Sequence, residues 1–476
     1  MYQLINDILL NFLPKFKRIR TWKWFAAAVI GFMIRTNTCG GITSIISSLR
    51  LKPELYHDLL HFFRSDGYAI EELYDEWIRI AANNSELLYV GGRVLLLGDH
   101  IKVSKEGRRM PDIQLLHQES ENSGKGEFIA GHNYGHVSAV ITNGKVSRSL
   151  PLITELQKSP PKDEISKKPV GDTLVVQMIH LTEKVAASLE KPVIVALDSY
   201  FSKSSAFKTT EKINTETDRK IVSIVTRGKT NTVAFTIPQV SEAKKGGRPK
   251  KYGDKIVLNT LFADEAKFTE TSLILYGKKT KIHYLLLDFL WKPAKKLIRF
   301  VLVESERGKI ILMSDDLSLT PEEIITAYAA RYKIETSFGE QKNDMGCFSY
   351  HFWTTSLPKR RKWDKNNQKP ITESQANIEK AKEATRGFVC LSTIATGIMT
   401  LVAFSHSQEI WRRYPGWIRT LRSTIPSIAI VKETLAQDFR VILKSSRFGT
   451  FMGFNFIHHL QRESDFLYEN LVADAA

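Results

Sequence analysis

Four polar residues in the C-terminal half of the chain have the types and spacing of a site that handles phosphate groups. Tyr328, Arg331, Glu335 and Lys342 read as Y-x(2)-R-x(3)-E-x(6)-K. On an α-helix, at about 100° per residue, they share a face about 60° wide. This mixture of side chains is wrong for a face that packs on a core. Taken alone, however, a solvated helix face with an Arg331 to Glu335 ion pair explains the stripe as well.

Two aspartates follow apolar runs earlier in the chain. Asp99 follows VLLLG and Asp198 follows VIVAL. A carboxylate in such a run must be paired or metal-bound because its desolvation is otherwise uncompensated, although Asp198 also fits a helix cap. With Glu335 they make three carboxylates, the minimum set for two Mg²⁺ ions roughly 4 Å apart that promote in-line attack on a phosphodiester.

The element that positions Glu335 is expected to be a helix with a well-specified start. Thr320 and Glu323 have the spacing of a capping box, and Pro321 occupies the first helical position. Gly346 is a plausible stop. The pattern predicts one helix from 321 to about 346.

The two aspartates fall in a stretch with the alternation of an α/β unit. The sequence predicts a strand at 93–103, a hairpin across Asn143-Gly144, a helix at 172–189, a strand at 192–197, a second helix and a strand at 221–225. The Asn-Gly pair favours a type I′ turn, which has positive φ at both central positions. The strands are apolar enough to be buried on both faces.

Residues 227–318 predict a β-rich insertion, with strand-like runs at 271–276, 282–287, 297–303 and 308–313. A basic segment, KKGGRPKK, spans 244–251. Its Arg248, Lys250 and Lys251 fit a DNA minor groove, and a disordered basic linker explains them nearly as well.

The stripe matches without a gap the Y-x(2)-R-x(3)-E-x(6)-K signature of DDE transposases from bacterial insertion sequences, and the chain resembles that family. Asp99 and Asp198, the latter followed by Ser-Tyr-Phe, stand where the family has its two aspartates. The resemblance implies an α/β ribonuclease-H-like catalytic core with an all-β insertion, flanked by helical N- and C-terminal regions. The expected domains are a helical DNA-binding domain (1–90), the core in two parts (91–226 and 319–410), the insertion (227–318) and a helical C-terminal region (411–476) as a candidate for dimerisation.

The resemblance also implies cut-and-paste DNA transposition. Asp99, Asp198 and Glu335 would then bind two Mg²⁺ ions, with Mn²⁺ as a substitute, and Tyr328, Arg331 and Lys342 would hold backbone phosphates. Trp291, the only tryptophan of 227–318, is a candidate to stack a flipped base, with an ordinary packed indole as the alternative. The implied partners are double-stranded DNA, as terminal inverted repeats and target, and a second copy of the chain.

Two other functions use the same features. A ribonuclease-H-like nuclease that cuts without strand transfer needs the same carboxylates. A domesticated DNA-binding regulator that has lost catalysis would not need the acidic triad, and the intact triad argues against it.

The charge balance points to a polyanionic partner. The chain has 68 Lys and Arg against 51 Asp and Glu, a formal charge of +17, yet charged residues are only 25% and hydrophobic residues 43%. These proportions exclude a disordered polycation. Basic residues concentrate at 15–23, 244–255 and 359–369, away from the proposed metal ligands, which favours DNA over an anionic membrane surface and predicts binding that weakens with salt.

The compartment follows from weaker signals. Cys39, Cys347 and Cys390 are too far apart in sequence for a disulfide framework, and the N-terminus lacks the pattern of a secretory signal. The apolar stretch 388–404 is short and carries four hydroxyl side chains, which favours a buried helix over a membrane span. We expect a bacterial cytoplasmic, nucleoid-associated protein without membrane contact.

Overall fold

The fold is described from a computed structural model, which covers residues 1–118, 127–166, 169–238, 250–359, 374–418, 424–442 and 457. The helices are α1 (Tyr2–Asn11), α2 (Ile19–Ile34), α3 (Gly41–Ser48), α4 (Leu55–Phe63), α5 (Ile70–Asn83), α6 (Leu174–Leu189), α7 (Ser204–Glu216), α8 (Pro321–Ala330), α9 (Lys333–Gly339), α10 (Gln375–Ser405), α11 (Ser407–Arg413) and α12 (Ile428–Ile442). The strands are β1 (Tyr89–Val90), β2 (Arg93–Ser104), β3 (Gln114–His117), β4 (Phe128–Thr142), β5 (Ser147–Gln157), β6 (Val193–Leu197), β7 (Val222–Arg227), β8 (Val233–Phe235), β9 (Lys255–Val257), β10 (Thr269–Leu275), β11 (Lys278–Trp291), β12 (Lys296–Ser305) and β13 (Gly308–Ser314).

The protein is a mixed α/β fold, because the strands of the described residues join one large mixed sheet. Its central order is β5-β4-β2-β6-β7, in which β2, β6 and β7 are parallel and β4 is antiparallel to both of its neighbours. The sheet continues from β7 to β13, β12 and β11, so the strands of 227–318 extend it. The four predicted strand runs of this stretch correspond to β10 to β13.

Side chains of the central strands alternate between two separate hydrophobic cores, one on each face of the sheet. On β2, Val94 and Leu96 join the core that contains α6, whereas Leu95 and Leu97 join the core that contains α8. On β6, Ile194 and Ala196 face the α8 side in the same way. Because side chains of a strand point alternately to opposite faces, these strands are buried on both sides, as their continuous apolar runs predict.

The helical N-terminal region packs around α10, which is the central helix of the second half of the molecule. Helices α2, α4 and α5 contact α10, and α10 also packs on β5. This helix is long and apolar enough to cross a membrane, but 94% of its most apolar window is buried inside the protein. The sequence-based preference for a buried helix at 388–404 is therefore confirmed.

The hairpin between β4 and β5 is present, but its turn differs from the prediction. Gly144 has φ +80°, whereas Asn143 is not among the non-glycine residues with positive φ, so the loop lacks the type I′ pair. Instead, the Asn143 Oδ1 accepts hydrogen bonds from the backbone N–H groups of Lys145 and Val146 at 3.2 and 2.9 Å. The asparagine side chain thus closes a four-residue loop that needs one left-handed residue.

Candidate active site

The parallel pairing of three adjacent strands ends at a row of charged residues, although β2 itself continues beside β4 to Ser104. The last paired residues of β2 and β6 are Leu97 and Ala196, so Asp99 and Asp198 stand two residues beyond them, side by side. On the other side of β6, Leu197 pairs with Thr226, which places Arg227 next to Asp198. Asp99 and Asp198 are half-buried and Arg227 is exposed.

The alternation of each strand decides which face these residues occupy. Asp99 continues the side of Leu95 and Leu97, and Asp198 continues the side of Ile194 and Ala196, which is the face covered by α8. The intervening Gly98 faces the other way, where a Cβ atom would lie 2.7 Å from a Leu197 methyl group. Glycine at this position therefore lets β2 and β6 keep their close contact beneath the two carboxylates.

Residues 321–346, which cover this face of the sheet, do not form the single helix that the sequence predicts. Helix α8 begins with the predicted capping box at Thr320 but ends at Ala330, and α9 is followed by a π-helical turn, Glu340–Asp344. At the junction, the N–H groups of Arg331 and Ile334 bond to carbonyls three residues back, at 3.1 and 3.0 Å. A tightened turn followed by a widened one breaks the constant 100° step on which the predicted face depended.

Arg331 contacts both Asp99 of β2 and Glu335 of α9. Its Nη1 lies 3.4 Å from Asp99 Oδ2 and 3.7 Å from Glu335 Oε1. The Asp99 side chain is 18% exposed and that of Glu335 is 61% exposed. We call Asp99, Asp198 and Glu335 the acidic centre. The structure brings its members to one place, with an arginine between two of them.

The electrostatics of the acidic centre are unbalanced. Burial and, after it, the charge of Asp198 raise the pKa of Asp99 to about 7, with a smaller contribution from Glu335, although the backbone N–H of His100 and the Arg331 guanidinium lower it. Asp99 Oδ1 accepts only one described backbone hydrogen bond, from the N–H of His100 at 2.7 Å. Two neighbouring carboxylates thus compete for too little positive charge.

Tyr328 and Arg227 border the acidic centre. Burial raises the pKa of the Tyr328 hydroxyl, the charges of Arg331 and Arg227 lower it, and that of Asp198 raises it. Arg227 was not among the residues predicted from the sequence. The signal that could have found it is the one that found the aspartates, a charged residue that follows an apolar strand-like run.

The remaining predicted residues lie elsewhere. Lys342 is exposed in the π-helical turn, and no described contact joins it to Arg331 or Glu335. Trp291 is 7% exposed and packs edge-on against Phe207, with ring centroids 5.3 Å apart, so its indole lies in the core rather than on an open surface. Lys250 and Lys251 are exposed before β9, and Arg248 lies outside the described residues.

Three cations contact the C-terminal end of residues 320–346, which contain Glu335 and which we call the glutamate segment. Buried Arg35, directly after α2, donates to the carbonyl oxygens of Met345 and Gly346, the latter at 2.7 Å. Arg148 of β5 pairs with the Glu340 carboxylate, and Lys432 of α12 donates to the Asp344 carbonyl. We call Arg35, Arg148 and Lys432 the cationic clamp.

The acidic centre fits divalent cations by charge. Within the described part of the chain, no group of three or more His, Cys, Asp and Glu side chains has the arrangement of a metal site. Nevertheless, a carboxylate whose pKa is raised by burial and by two other carboxylates is a group that a bound cation would stabilise in its charged form. Oxygen ligands of this kind are those that Mg²⁺ and Mn²⁺ prefer.

Comparisons with known proteins identify no family. No family model and no curated protein matches the chain. Among solved structures, the crystal structure of the NurA nuclease from Sulfolobus solfataricus aligns with 62% of this chain and 98% of its own, at 11% identity and a TM-score of 0.22. A TM-score this low supports no inference about fold or activity.

Proposed function

We propose that the protein is a divalent-cation-dependent enzyme that cuts and transfers DNA strands, of the DDE transposase type. The observation that carries this proposal is the acidic centre. Asp99 and Asp198 stand side by side where the parallel pairing of β2 and β6 ends, and Arg331 connects Asp99 to Glu335 of the signature motif. An aspartate on the first strand, a second aspartate after a later strand and a helical glutamate are what the resemblance in sequence implies.

The order of the central strands supports a ribonuclease-H-like core. Counted along the unit β2, β4, β5, β6 and β7, Asp99 lies on the first strand and Asp198 directly follows the fourth. This is the placement that the family resemblance predicts.

Each charged group has a distinct task in the proposed reaction. Asp99, Asp198 and Glu335 would hold the divalent cations, which when bound activate water and neutralise charge on the phosphate. Arg331 and Arg227 offer guanidinium donors beside the carboxylates, and a guanidinium is suited to bind phosphate oxygens. Tyr328, whose raised pKa keeps its hydroxyl protonated, can donate a hydrogen bond to the same phosphate.

The proposed sequence of reactions has two steps. Hydrolysis of a phosphodiester at the transposon end leaves a 3′-hydroxyl and a 5′-phosphate. The 3′-hydroxyl then attacks a phosphodiester of the opposite strand or of the target, and the strand it displaces leaves with its own 3′-hydroxyl. Two transposon ends are brought together in the proposed synaptic complex, for which a homodimer is the simplest arrangement.

The test is cleavage of a supercoiled plasmid that carries the reading frame with its native flanking DNA, in the presence of Mg²⁺. We expect an excised fragment with the wild-type protein and none with Asp99→Asn, Asp198→Asn or Glu335→Gln. As a matched control, Glu304→Gln removes a carboxylate that pairs with Lys309 on the extended part of the sheet and should leave excision unchanged. Excision by all three variants would refute the proposal.

A second readout separates the alternatives. With a labelled 3′ end and an unlabelled target plasmid, the proposed enzyme joins the label to the target. A nuclease without strand transfer releases the labelled end but never joins it. A DNA-binding regulator retards the DNA and leaves it intact.

A further inference from the structure

A tryptophan is held at the protein surface by the segment that follows the glutamate segment. Residues 350–356 have no helix or strand, but their burial alternates. The exposed side chains are those of His351, Trp353 and Thr355, and the buried ones are those of Tyr350, Phe352, Thr354 and Ser356. The Trp353 side chain is 55% exposed between two buried neighbours. A large apolar ring is therefore presented to solvent by a segment that is itself anchored in the core.

The anchoring of this segment is extensive. The ammonium group of Lys105 donates to the Tyr350 carbonyl oxygen at 3.2 Å and lies 3.6 Å from the centre of the Tyr350 ring. The Tyr350 hydroxyl is bonded to Tyr134 and His132, at 2.6 Å in each case. These contacts fix the backbone near Trp353, so binding to this ring requires little ordering of the protein.

Trp353 lines a surface cavity of about 460 Å³ together with cationic and aromatic side chains. The other aromatic side chains include Tyr56, and the arginine and lysine are Arg64 and Lys380. The Arg64 Nη2 donates to the Trp353 carbonyl oxygen at 3.4 Å, which places the guanidinium beside the tryptophan. No Asp or Glu is among the described residues that line this cavity.

A second basic cavity shows what this combination adds. The cavity beside Lys17, Arg18 and Arg20 also contains Asp58 and Asp66, and its tryptophan, Trp24, is only 5% exposed. Of these two cavities, the Trp353 cavity alone combines an exposed tryptophan ring with cations and no carboxylates.

We propose that the Trp353 cavity binds an unpaired segment of a DNA strand, with a base stacked on Trp353 and the backbone phosphates held by Arg64 and Lys380. The inference rests on the proposed function, because that function makes strand ends near Glu335. Stacking on an exposed aromatic ring accepts any base, and cations beside it neutralise the adjacent phosphates. The cavity would therefore hold the strand without reading its sequence.

The experiment measures the Kd of a fluorescently labelled oligothymidylate in metal-free buffer with 150 mM salt, where cleavage does not take place. We expect Trp353→Leu to weaken binding at least about fivefold, which is the lower end of what one stacked base contributes. Trp417→Leu is the matched control, because Trp417 is 83% exposed at a different place, and it should bind as the wild type does. Equal binding by Trp353→Leu and wild type would overturn the proposal.

A second variant tests the phosphate contact through salt dependence. Arg64→Gln should reduce the slope of log Kd against log salt by about 0.7, the value for one phosphate of a single strand. Lys212→Gln on α7, which removes a cation paired with Glu216, should leave the slope unchanged. An unchanged slope for Arg64→Gln would count against the assigned contact.

The outcomes separate this inference from the proposed function. If Trp353→Leu binds more weakly while the wild-type protein never cuts DNA, the cavity assignment stands and the transposase proposal fails. If the wild-type protein excises DNA and Trp353→Leu binds the oligonucleotide normally, the transposase proposal stands and the cavity assignment fails.

Discussion

The acidic centre includes Glu335 of the glutamate segment, and the cationic clamp contacts the C-terminal end of the same segment; the two groups have opposite electrostatic character. In the clamp, each cation meets an acceptor: Arg35 bonds to two terminal carbonyls, and Arg148 pairs with the Glu340 carboxylate. In the acidic centre, burial and the charges of Asp198 and Glu335 raise the pKa of Asp99. The clamp pairs each cation with an acceptor, whereas the acidic centre brings like charges together.

This difference indicates that the cationic clamp stabilises the fold, whereas the acidic centre serves the proposed function. A satisfied ionic cluster fixes the position of the chain, and its loss should destabilise the fold. A cluster of like charges destabilises the fold in the absence of a ligand, and a bound cation of the kind we propose would relieve that repulsion. Substitutions in the two regions should consequently change stability in opposite directions.

The largest expected effect on stability comes from breaking the clamp. Arg148→Met leaves the Glu340 carboxylate buried without its partner, since the Glu340 side chain is only 8% exposed. Removing one member of a buried pair costs about 3–5 kcal/mol, so urea unfolding should show a clear loss of unfolding free energy. The double variant with Glu340→Met should recover much of the loss, and a double variant as unstable as the single one would show that the pair is not the cause.

Neutralising a carboxylate of the acidic centre should raise the unfolding free energy, in contrast to breaking the clamp. Folded Asp99 has a pKa of about 7 against an ordinary 3.8, so folding takes up a proton between these values. Its contribution to the unfolding free energy is present at low pH and is lost as the pH rises to about 7. Without metal, wild-type stability should therefore fall across this window, by on the order of 3 kcal/mol relative to Asp99→Asn.

The measurement is urea unfolding in EDTA at several pH values from 4 to 8 for both proteins. The wild type and Asp99→Asn should be similar at the low end and diverge as the pH rises, with the variant more stable at pH 8. Curves that stay parallel across the whole range would contradict a raised Asp99 pKa.

The smallest expected effect is at the start of the glutamate segment, where the interactions are local. Thr320 Oγ1 accepts from the Glu323 N–H at 3.2 Å, and the Thr320 N–H donates to Glu323 Oε2 at 2.8 Å. Thr320→Ala should cost about 1 kcal/mol, with Thr320→Ser close to wild type in the same unfolding measurement. A loss as large as that of Arg148→Met would show that the start of the segment is as strongly held as its end.

Features set by neighbouring residues could be predicted from the sequence. The Thr320 capping box, helix α6, strands β2 and β6 and the position of the hairpin follow from local patterns, and so do the positions of Asp99 within β2 and of Asp198 directly after β6. The mixed α/β class follows from the order of these elements.

Features set by distant parts of the chain could not be predicted. Arg35 and Met345 are 310 positions apart, and Arg148 and Glu340 are 192 apart, so no window of sequence contains either contact. The break after Ala330 and the π-helical turn lie in the segment that these contacts restrain. The burial of Trp291 against Phe207 of α7 is likewise a tertiary contact.

The most direct test of the proposed cation-binding role of the acidic centre is a titration of the metal-free protein with Mn²⁺, followed by electron paramagnetic resonance. We expect the wild type and Glu304→Gln to bind the ion equally. The variants Asp99→Asn, Asp198→Asn and Glu335→Gln should each weaken binding at least about tenfold. Unchanged Mn²⁺ affinity in all three variants would contradict the claim that these carboxylates form one cation-binding centre.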